Sequence, residues 1–459
     1  MTLVSPPVTV QRPKLQGYEF YREVLGSPKY VAAPMVDQSE LAWRKLSRRY
    51  GAQLAYTPMI NAKMFAAASR KGYREQTFNI EHGEEGGPED RPLIVQFCAN
   101  DPEQLLASAK VVEPHCDAID INLGCPQDIA KRGRYGSFLQ DDWDLIFKLI
   151  NILHKNLSIP VTAKFRVFPT VEKTVEYAKM LERAGAQILT CHGRTREQRG
   201  HNSGLADWEK IRAVKQAVSV PVFANGNILY HSDIARCLTE TGADAVMSAE
   251  GQLYNGALFA SATAGPSSSA IANADSDQPP PVPASEGAFD TGLHPRHADL
   301  ALEYLSIVQA LKTPTPLSGV KGHLFKLLRP ALAREPDLRD RLGRVNGASG
   351  FQAFVDIAEE MKRRMDRDAE EAAARGLRAG DLVKIDEATG IKVLPHWLAQ
   401  PYFRPLPVPS TVQVKGTAKI AVAAQHSKRS HSERTPEPED DELKRARLDV
   451  PEHTAVACV

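Results

Sequence analysis

Residues 118–127 read Ala118-Ile119-Asp120-Ile121-Asn122-Leu123-Gly124-Cys125-Pro126-Gln127. The run 118–122 is too short for a helix and has the isoleucine content of a buried strand. Gly124 and Pro126 then break it. An asparagine and a cysteine therefore stand at the mouth of a strand. A strand end is rigid, and the loop beyond it can meet a substrate. Three later strand ends carry Lys164, His192 and Asn225. Together these positions read as one active site assembled from several strands of a barrel.

Working outward, the same alternation continues on both sides. Short apolar runs at 30–35, 53–57, 93–97, 118–122, 161–165, 188–192, 221–225 and 245–248 predict eight strands. Helical patterns lie between them at 40–50, 102–112, 141–155, 171–184, 207–217 and 232–241. Pro160, Gly185 and Gly242 fall at helix ends or just before strands, where such punctuation belongs. Eight such units over roughly 230 residues match the size of a (β/α)8 TIM barrel. The rival is a doubly wound sheet, which usually has fewer strands and often a GxGxxG loop after the first. No such loop is present.

At 459 residues the chain is long enough for more than one domain. The prediction is an N-terminal extension (1–27), the barrel (28–261) and a disordered insertion rich in Pro, Ser and Ala (262–296). An all-α helical domain (297–375), an ambiguous extension (376–408) and a disordered tail (409–459) follow. Net charge is +1, so there is no overall polyelectrolyte signal. Basic clusters at 44–49, 131–134 and 194–199 read as solvated faces or as RNA contacts. The six cysteines include no CxxC pair, which suggests reduced thiols, not a disulfide framework. With no bilayer-length apolar run, the expectation is a soluble intracellular monomer with no membrane association, cytoplasmic and/or nuclear. Lys428-Arg429 with Lys444-Arg445-Ala446-Arg447 resembles a bipartite nuclear import signal.

In a barrel of this kind the active site lies at the C-terminal ends of the strands. Those positions hold Met35, Gln96, Asn122, Cys125, Lys164, Arg166, His192, Arg194, Asn225 and Glu250. The set offers proton donors, amides and fixed positive charge. It has no glycosidase-like carboxylate pair and no metal cage. Asn225-Gly226-Asn227 after strand seven and Ala249-Glu250-Gly251 after strand eight would let backbone N–H groups approach an anion, as phosphate sites of barrels do.

Six motifs in fixed order make the chain similar to the tRNA-dihydrouridine synthases, most of all to the eukaryotic branch acting on uridines 16 and 17. They are Ala33-Pro34-Met35, Val95-Gln96-Phe97, residues 120–126, Ala163-Lys164-Phe165-Arg166, Cys191-His192-Gly193-Arg194-Thr195 and Asn225-Gly226-Asn227-Ile228. Val36-Asp37-Gln38-Ser39-Glu40 and Val320-Lys321-Gly322-His323-Leu324-Phe325 resemble that branch in particular. The resemblance implies FMN as cofactor, NADPH (or NADH) as reductant and tRNA as substrate. It assigns Cys125 as the acid, since an ordinary thiol with a pKa of about 8.5 is protonated at neutral pH. Pro34, Met35, Gln96 and Lys164 would hold the flavin ring. Asn225, Gly226, Asn227 and the Ala249-Glu250-Gly251 loop would hold its phosphate. Many family members carry arginine where Glu250 stands, which leaves more to the backbone and to Arg194. Asn122, Arg166 and His192 would line the base pocket or the cofactor's edge. Of these, His192 is assigned to the cofactor, and Asn122 and Arg166 to the substrate with Arg194. Lys321, His323, Lys326 and Arg329 would meet tRNA phosphates, with Lys131, Arg132 and Arg134 on the barrel. Two rivals carry less of this pattern: a dihydroorotate-dehydrogenase-like enzyme on a free pyrimidine, and a tRNA-binding factor without catalysis.

Overall fold

The structure is a computed structural model and describes residues 14–67, 71–200, 203–260, 292–387 and 390–402. Most of the predicted insertion and all of the predicted tail lie outside these residues. So do the import-signal residues and Cys458.

Eight parallel strands close into a barrel: β1 Tyr30–Ala32, β2 Leu54–Tyr56, β3 Leu93–Cys98, β4 Ala118–Leu123, β5 Val161–Arg166, β6 Ala186–His192, β7 Val222–Asn225 and β8 Ala245–Ser248. Each pairs with the next, and β8 pairs with β1 (Ala32 opposite Ser248) to complete the ring. The fold is the predicted TIM barrel. A two-residue strand, Ile60–Asn61, adds to the end of β3. It was not foreseen, and neither were the helices Ala62–Ala66 and Lys71–Thr77, because residues 57–93 show no sustained period.

Successive residues of a strand face opposite sides, and the barrel uses this to separate two cores. Ile119, Ile121 and Leu123 of β4 face outward into the layer under the helices. Ala118 faces inward with Leu54, Ile94, Ile188, Phe223 and Ala245. The segment 17–24 plugs the lower end: Phe20 is fully buried, and Tyr21 donates to the carbonyls of Pro28 and Asp244. Burying one such aromatic ring contributes about 2–3 kcal/mol.

The helices start where a side chain can cap them. Asp101, Asp142, Thr170 and Asp207 each accept the backbone N–H three residues on. They open α1 Pro102–Val112, α2 Trp143–Asn156, α3 Val171–Ala184 and α4 Trp208–Ala217. Each cap is worth about 1 kcal/mol. α3 ends at Gly185 with φ 117°, and a Cβ there would meet the His154 ring at 2.4 Å.

The basic cluster at 44–49 is not a solvated face throughout. Arg44 is fully buried and forks onto Asp90, Nε to Oδ1 at 2.9 Å and Nη2 to Oδ2 at 2.6 Å, with Glu85 3.2 Å away. Two carboxylates offset the desolvation of the guanidinium. The cluster at 194–199 is partly paired too: Arg196 to Asp141 and Arg199 to Asp128.

Beyond the barrel the helices α5 His297–Ala310, α6 Leu317–Leu327, α7 Pro336–Arg344 and α8 Gln352–Ala374 share one core with the barrel interior. The stretch read as ambiguous has structure. A short antiparallel ladder pairs Lys384–Ile385 with Lys392–Val393. Trp397, Leu398 and Ala399 are then buried, and Ala399 N–H reaches the Pro295 carbonyl at 2.8 Å. Among the described residues no helix is long and apolar enough to cross a membrane.

Candidate active site

Register sets the upper side chains of four strands side by side in two successive rows at one rim. Asn122 lies opposite Lys164, Arg166 opposite His192, and His192 opposite Asn225. Asn122, Lys164, Arg166 and His192 border a cleft lined also by Pro34, Val36, Met59, Gln96, Gly124, Cys125 and Pro126. The structure thus brings together Pro34, Gln96, Asn122, Cys125, Lys164, Arg166 and His192 as expected from strand ends. Val36, Met59, Gly124 and Pro126 were not singled out as lining. Gly124 and Pro126 carry a signal, since both stand beside Cys125. Met59 lies in a segment without any period.

Cys125 is held through its backbone from two sides. Its N–H donates to Asn122 Oδ1 at 2.9 Å, beside the Gly124 N–H at 3.2 Å. Its carbonyl accepts the N–H and the hydroxyl of Ser137, each at 3.0 Å. Gly136 makes that approach possible, because a Cβ there would lie 2.7 Å from the Cys125 carbonyl oxygen. The residue stands in the cleft wall with only 4 % of it exposed. Cys98 and Tyr135 lie behind it, and burial pushes the Cys98 thiol up to about 12.

Lys164 Nζ donates to Asn225 Oδ1 at 2.8 Å, and Asn225 Nδ2 donates to the Met247 carbonyl at 3.0 Å. A cation is therefore fixed above the middle of the barrel. Arg166 is a brace: Nε donates to the Gly124 carbonyl, and Nη1 to the carbonyls of Thr195 and Gln198, all at 2.9 Å. Arg199 adds a bond to the Pro126 carbonyl at 2.8 Å. The loop after β6 so clamps the cysteine loop.

Burial, with Arg166, Lys164 and Arg194 close by, holds the His192 pKa well below its ordinary value. His192 is a neutral imidazole. Arg194 Nη1 lies 3.1 Å from its Nε2, and a guanidinium only donates. Nε2 is then the acceptor, and the ring proton sits on Nδ1. Arg194 also donates to Asn227 Oδ1 at 3.2 Å and to the Gly204 carbonyl at 3.1 Å. Asn227 clasps the backbone of Ala206 in both directions.

The loops after β7 and β8 touch. A Cβ on Gly251 would lie 2.2 Å from the Ile228 carbonyl oxygen, and one on Gly226 2.6 Å from the Ala206 Cβ. Ala249 is buried, and Glu250 begins the short helix Glu250–Tyr254. Met35 does not line the cleft. Its side chain is buried, and its N–H donates to Ser39 Oγ at 3.0 Å.

Lys321, Lys326 and Arg329 stand apart from the cleft. Lys321 Nζ donates to the Gly343 carbonyl at 2.7 Å, and Arg329 lies 3.8 Å over the ring of Tyr402. Lys326 departs most from the expectation of an open phosphate contact. Its Nζ donates to Gln38 Oε1 at 2.7 Å, and burial lowers its pKa to about 8 against the nearby carboxylates Glu250 and Glu40. His323 is fully buried on Glu40.

The cleft, its fixed cation and the paired glycine loops fit a flavin mononucleotide. Gly226 and Gly251 let these loops pack closely, Gly226 against Ala206 and Gly251 against the Ile228 carbonyl. Among the described residues no group of three or more His, Cys, Asp or Glu could hold a metal.

The model of the dihydrouridine synthase (Dus) family matches residues 31–346. A tRNA-dihydrouridine(16/17) synthase (NAD(P)(+))-like protein of Rattus norvegicus is 47% identical over 395 residues, covering 86% of this chain and 78% of its own. The tRNA-dihydrouridine(16/17) synthase (NAD(P)(+)) of Schizosaccharomyces pombe is 44% identical over 407 residues, covering 88% and 94%. That of Saccharomyces cerevisiae is 45% identical over 412 residues, covering 86% and 87%. With the barrel, the cleft and these matches together, the chain belongs to the dihydrouridine synthase family.

Proposed function

We propose that this protein reduces the C5–C6 bond of uridine to dihydrouridine in the D-loop of tRNA, at positions 16 and 17. The observation that carries the chemistry is Cys125, gripped by its backbone at the wall of a cleft that also holds the Lys164 ammonium. The names of the relatives support the substrate and the use of NAD(P).

No side chain can donate a hydride; FMN, when bound, supplies it, drawing its electrons from NADPH or NADH. Lys164 and Gln96 would hold the flavin ring, and Asn225, Gly226 and the loop from Ala249 to Gly251 its phosphate. Lys164 would supply positive charge beside the ring. As hydride reaches C6, charge builds at C5 of the uracil. The S–H bond of Cys125 breaks and its proton passes to C5; the thiolate regains a proton from solvent afterwards. Arg166 keeps the cysteine loop in place during this step. His192, neutral with its proton on Nδ1, is able to donate one hydrogen bond without adding charge.

The target base is stacked in folded tRNA and must be extruded, at a cost of a few kcal/mol. Lys131 and Arg132 on the helix Asp128–Gly133, with Arg134 just beyond, lie next to Cys125 in the chain and are set to meet the backbone beside that base. The helical region 297–375 would hold the rest of the tRNA.

The test is mass spectrometry of tRNA nucleosides from cells lacking the protein, rescued with wild type or Cys125→Ala. D-loop dihydrouridine disappears without the protein and returns only with wild type. Full restoration by Cys125→Ala would remove the thiol from the mechanism.

A further inference from the structure

A buried carboxylate lies beneath the cleft, and the chemistry assigned above does not use it. Asp120 is fully buried on β4, with Gln96 of β3 and Thr162 of β5 opposite it in register. Its Oδ2 accepts Gln96 Nε2 at 2.7 Å, and its Oδ1 accepts Thr162 Oγ1 at 2.6 Å. Gln96 Oε1 then accepts Asn122 Nδ2 at 2.8 Å. Asn122 Oδ1, at the end of this row, accepts the backbone N–H groups of Cys125 at 2.9 Å and Gly124 at 3.2 Å.

An ionised carboxylate accepts hydrogen bonds and cannot donate one. That sets which way both amides face. Gln96 must turn its NH2 to Asp120, which leaves its oxygen for Asn122. Asn122 must turn its NH2 to Gln96, which leaves its oxygen for the cysteine loop. A neutral group at position 120 would accept or donate alike, and the row could run in either direction. Reversed, it would aim an NH2 group at two backbone N–H donors.

We infer that Asp120 is a positioning residue for Cys125, orienting Gln96 and Asn122 so that the last oxygen of the row holds the Gly124–Cys125 turn. The link to catalysis rests on Cys125 being the proton donor proposed above. Stability does not account for the carboxylate. Burial holds its pKa up to about 6, against the bonds from Thr162 and Gln96 and the charge of Lys164. A buried group raised in this way weakens the fold at neutral pH. The charged and titratable groups facing it are Lys164 on β5 and Tyr56 on β2.

Asp120→Asn keeps the volume and removes the charge. Hydrogen–deuterium exchange of the full chain reads the turn directly in the peptide spanning 121–127. Pro126 has no N–H, and Gly124 and Cys125 carry the signal. The expected result is exchange about tenfold faster there, with other barrel peptides unchanged. The melting temperature near pH 8 should equal or exceed wild type. The kcat for tRNA reduction should fall roughly tenfold or more at unchanged KM. Wild-type exchange in 121–127 overturns the inference whatever the activity does, and so does faster exchange with wild-type kcat. A wild-type protein that does not reduce tRNA would instead overturn the proposed reaction and leave the exchange result standing. Should Asp120→Asn not fold, Thr162→Val removes one donor to the carboxylate. The pH at which the 121–127 peptide loses protection then moves up from about 6; an unmoved midpoint overturns the inference.

Discussion

Glu40 and His323, 283 residues apart in the chain, meet at the seam between barrel and helices, with the imidazole Nε2 3.0 Å from the Glu40 Oε2. Tyr304 donates to the other carboxylate oxygen at 2.7 Å, and Trp43 stacks on the imidazole with ring centroids 4.2 Å apart. Burial lowers the His323 pKa against the pull of Glu40. Burial also works to raise Glu40, but His323 and Tyr304 outweigh it and hold the carboxylate below its ordinary range. The pair is an ionised carboxylate accepting from a neutral imidazole, whose Nδ1 is buried without a hydrogen-bond partner. One turn of chain away, Gln38 binds Lys326 and the Gly319 carbonyl. The loop after β1, which supplies Pro34 and Val36 to the cleft, is thereby tied to α6.

His323→Ala would empty the space beneath Trp43 and leave the half-buried Glu40 one donor short. Stability is expected to fall by about 2–4 kcal/mol, read by urea unfolding at neutral pH. A loss below about 0.5 kcal/mol would show that the seam is not a stabilising contact.

Acid should weaken the fold. Burial lowers the pKa values of His192, His294, His297 and His323, that of His297 to about 4. As pH falls through about 6.5 the unfolded chain protonates these rings and the folded chain resists. The unfolded state then binds more protons, so stability falls with pH. Asp120 acts in the opposite sense: its folded pKa of about 6 stands above the ordinary 3.8, and the folded state gains as pH drops through 6. Burial raises Asp37 and Glu85 as well and lowers His154 with the other histidines; the five rings outweigh the three carboxyls, and the melting temperature should decline from about pH 6.5 to about pH 4.5. Melts at matched ionic strength check this; a constant melting temperature over that window contradicts it.

Lys164→Met keeps the bulk of the side chain and removes the ammonium that donates to Asn225 at 2.8 Å. The protein should fold, and bind FMN roughly tenfold or more weakly. Flavin absorbance retained through gel filtration is the measurement. A variant as yellow as wild type would take Lys164 out of the cofactor site.

Gly251→Ala would place a methyl group 2.2 Å from the Ile228 carbonyl oxygen and push the loops after β7 and β8 apart. Overpacking of this kind costs about 1–3 kcal/mol. FMN, which has a phosphate, should lose more affinity than riboflavin, which has none, in titrations of the apoprotein. Equal losses for both would place the phosphate elsewhere.

Several features could be read locally. Parallel strands covered on both faces need near-continuous apolar sequence, which marks β3 to β8 without any partner being known. Caps such as Asp101 and Thr170 act within three residues of themselves. Once the strands are placed, the ends of β3 to β7 supply Gln96, Asn122, Lys164, His192 and Asn225, with Cys125 in the loop beyond β4, because a barrel turns every strand end to one rim.

What a residue binds is another matter. Arg166 looks like a substrate ligand in the sequence; in the fold it lines the cleft and also braces it, holding carbonyls from loops about 30–40 residues away on either side. Lys326 reads as a free cation, yet it is half-buried against Gln38, 288 positions earlier. Asp120 gives no local sign of its two partners, which depend on the register of three strands. Patterns of apolarity and capping are short-range and survive in the linear chain. Hydrogen-bond partners, burial and protonation arise from groups brought together by folding across tens to hundreds of residues, and the chain's order does not record them.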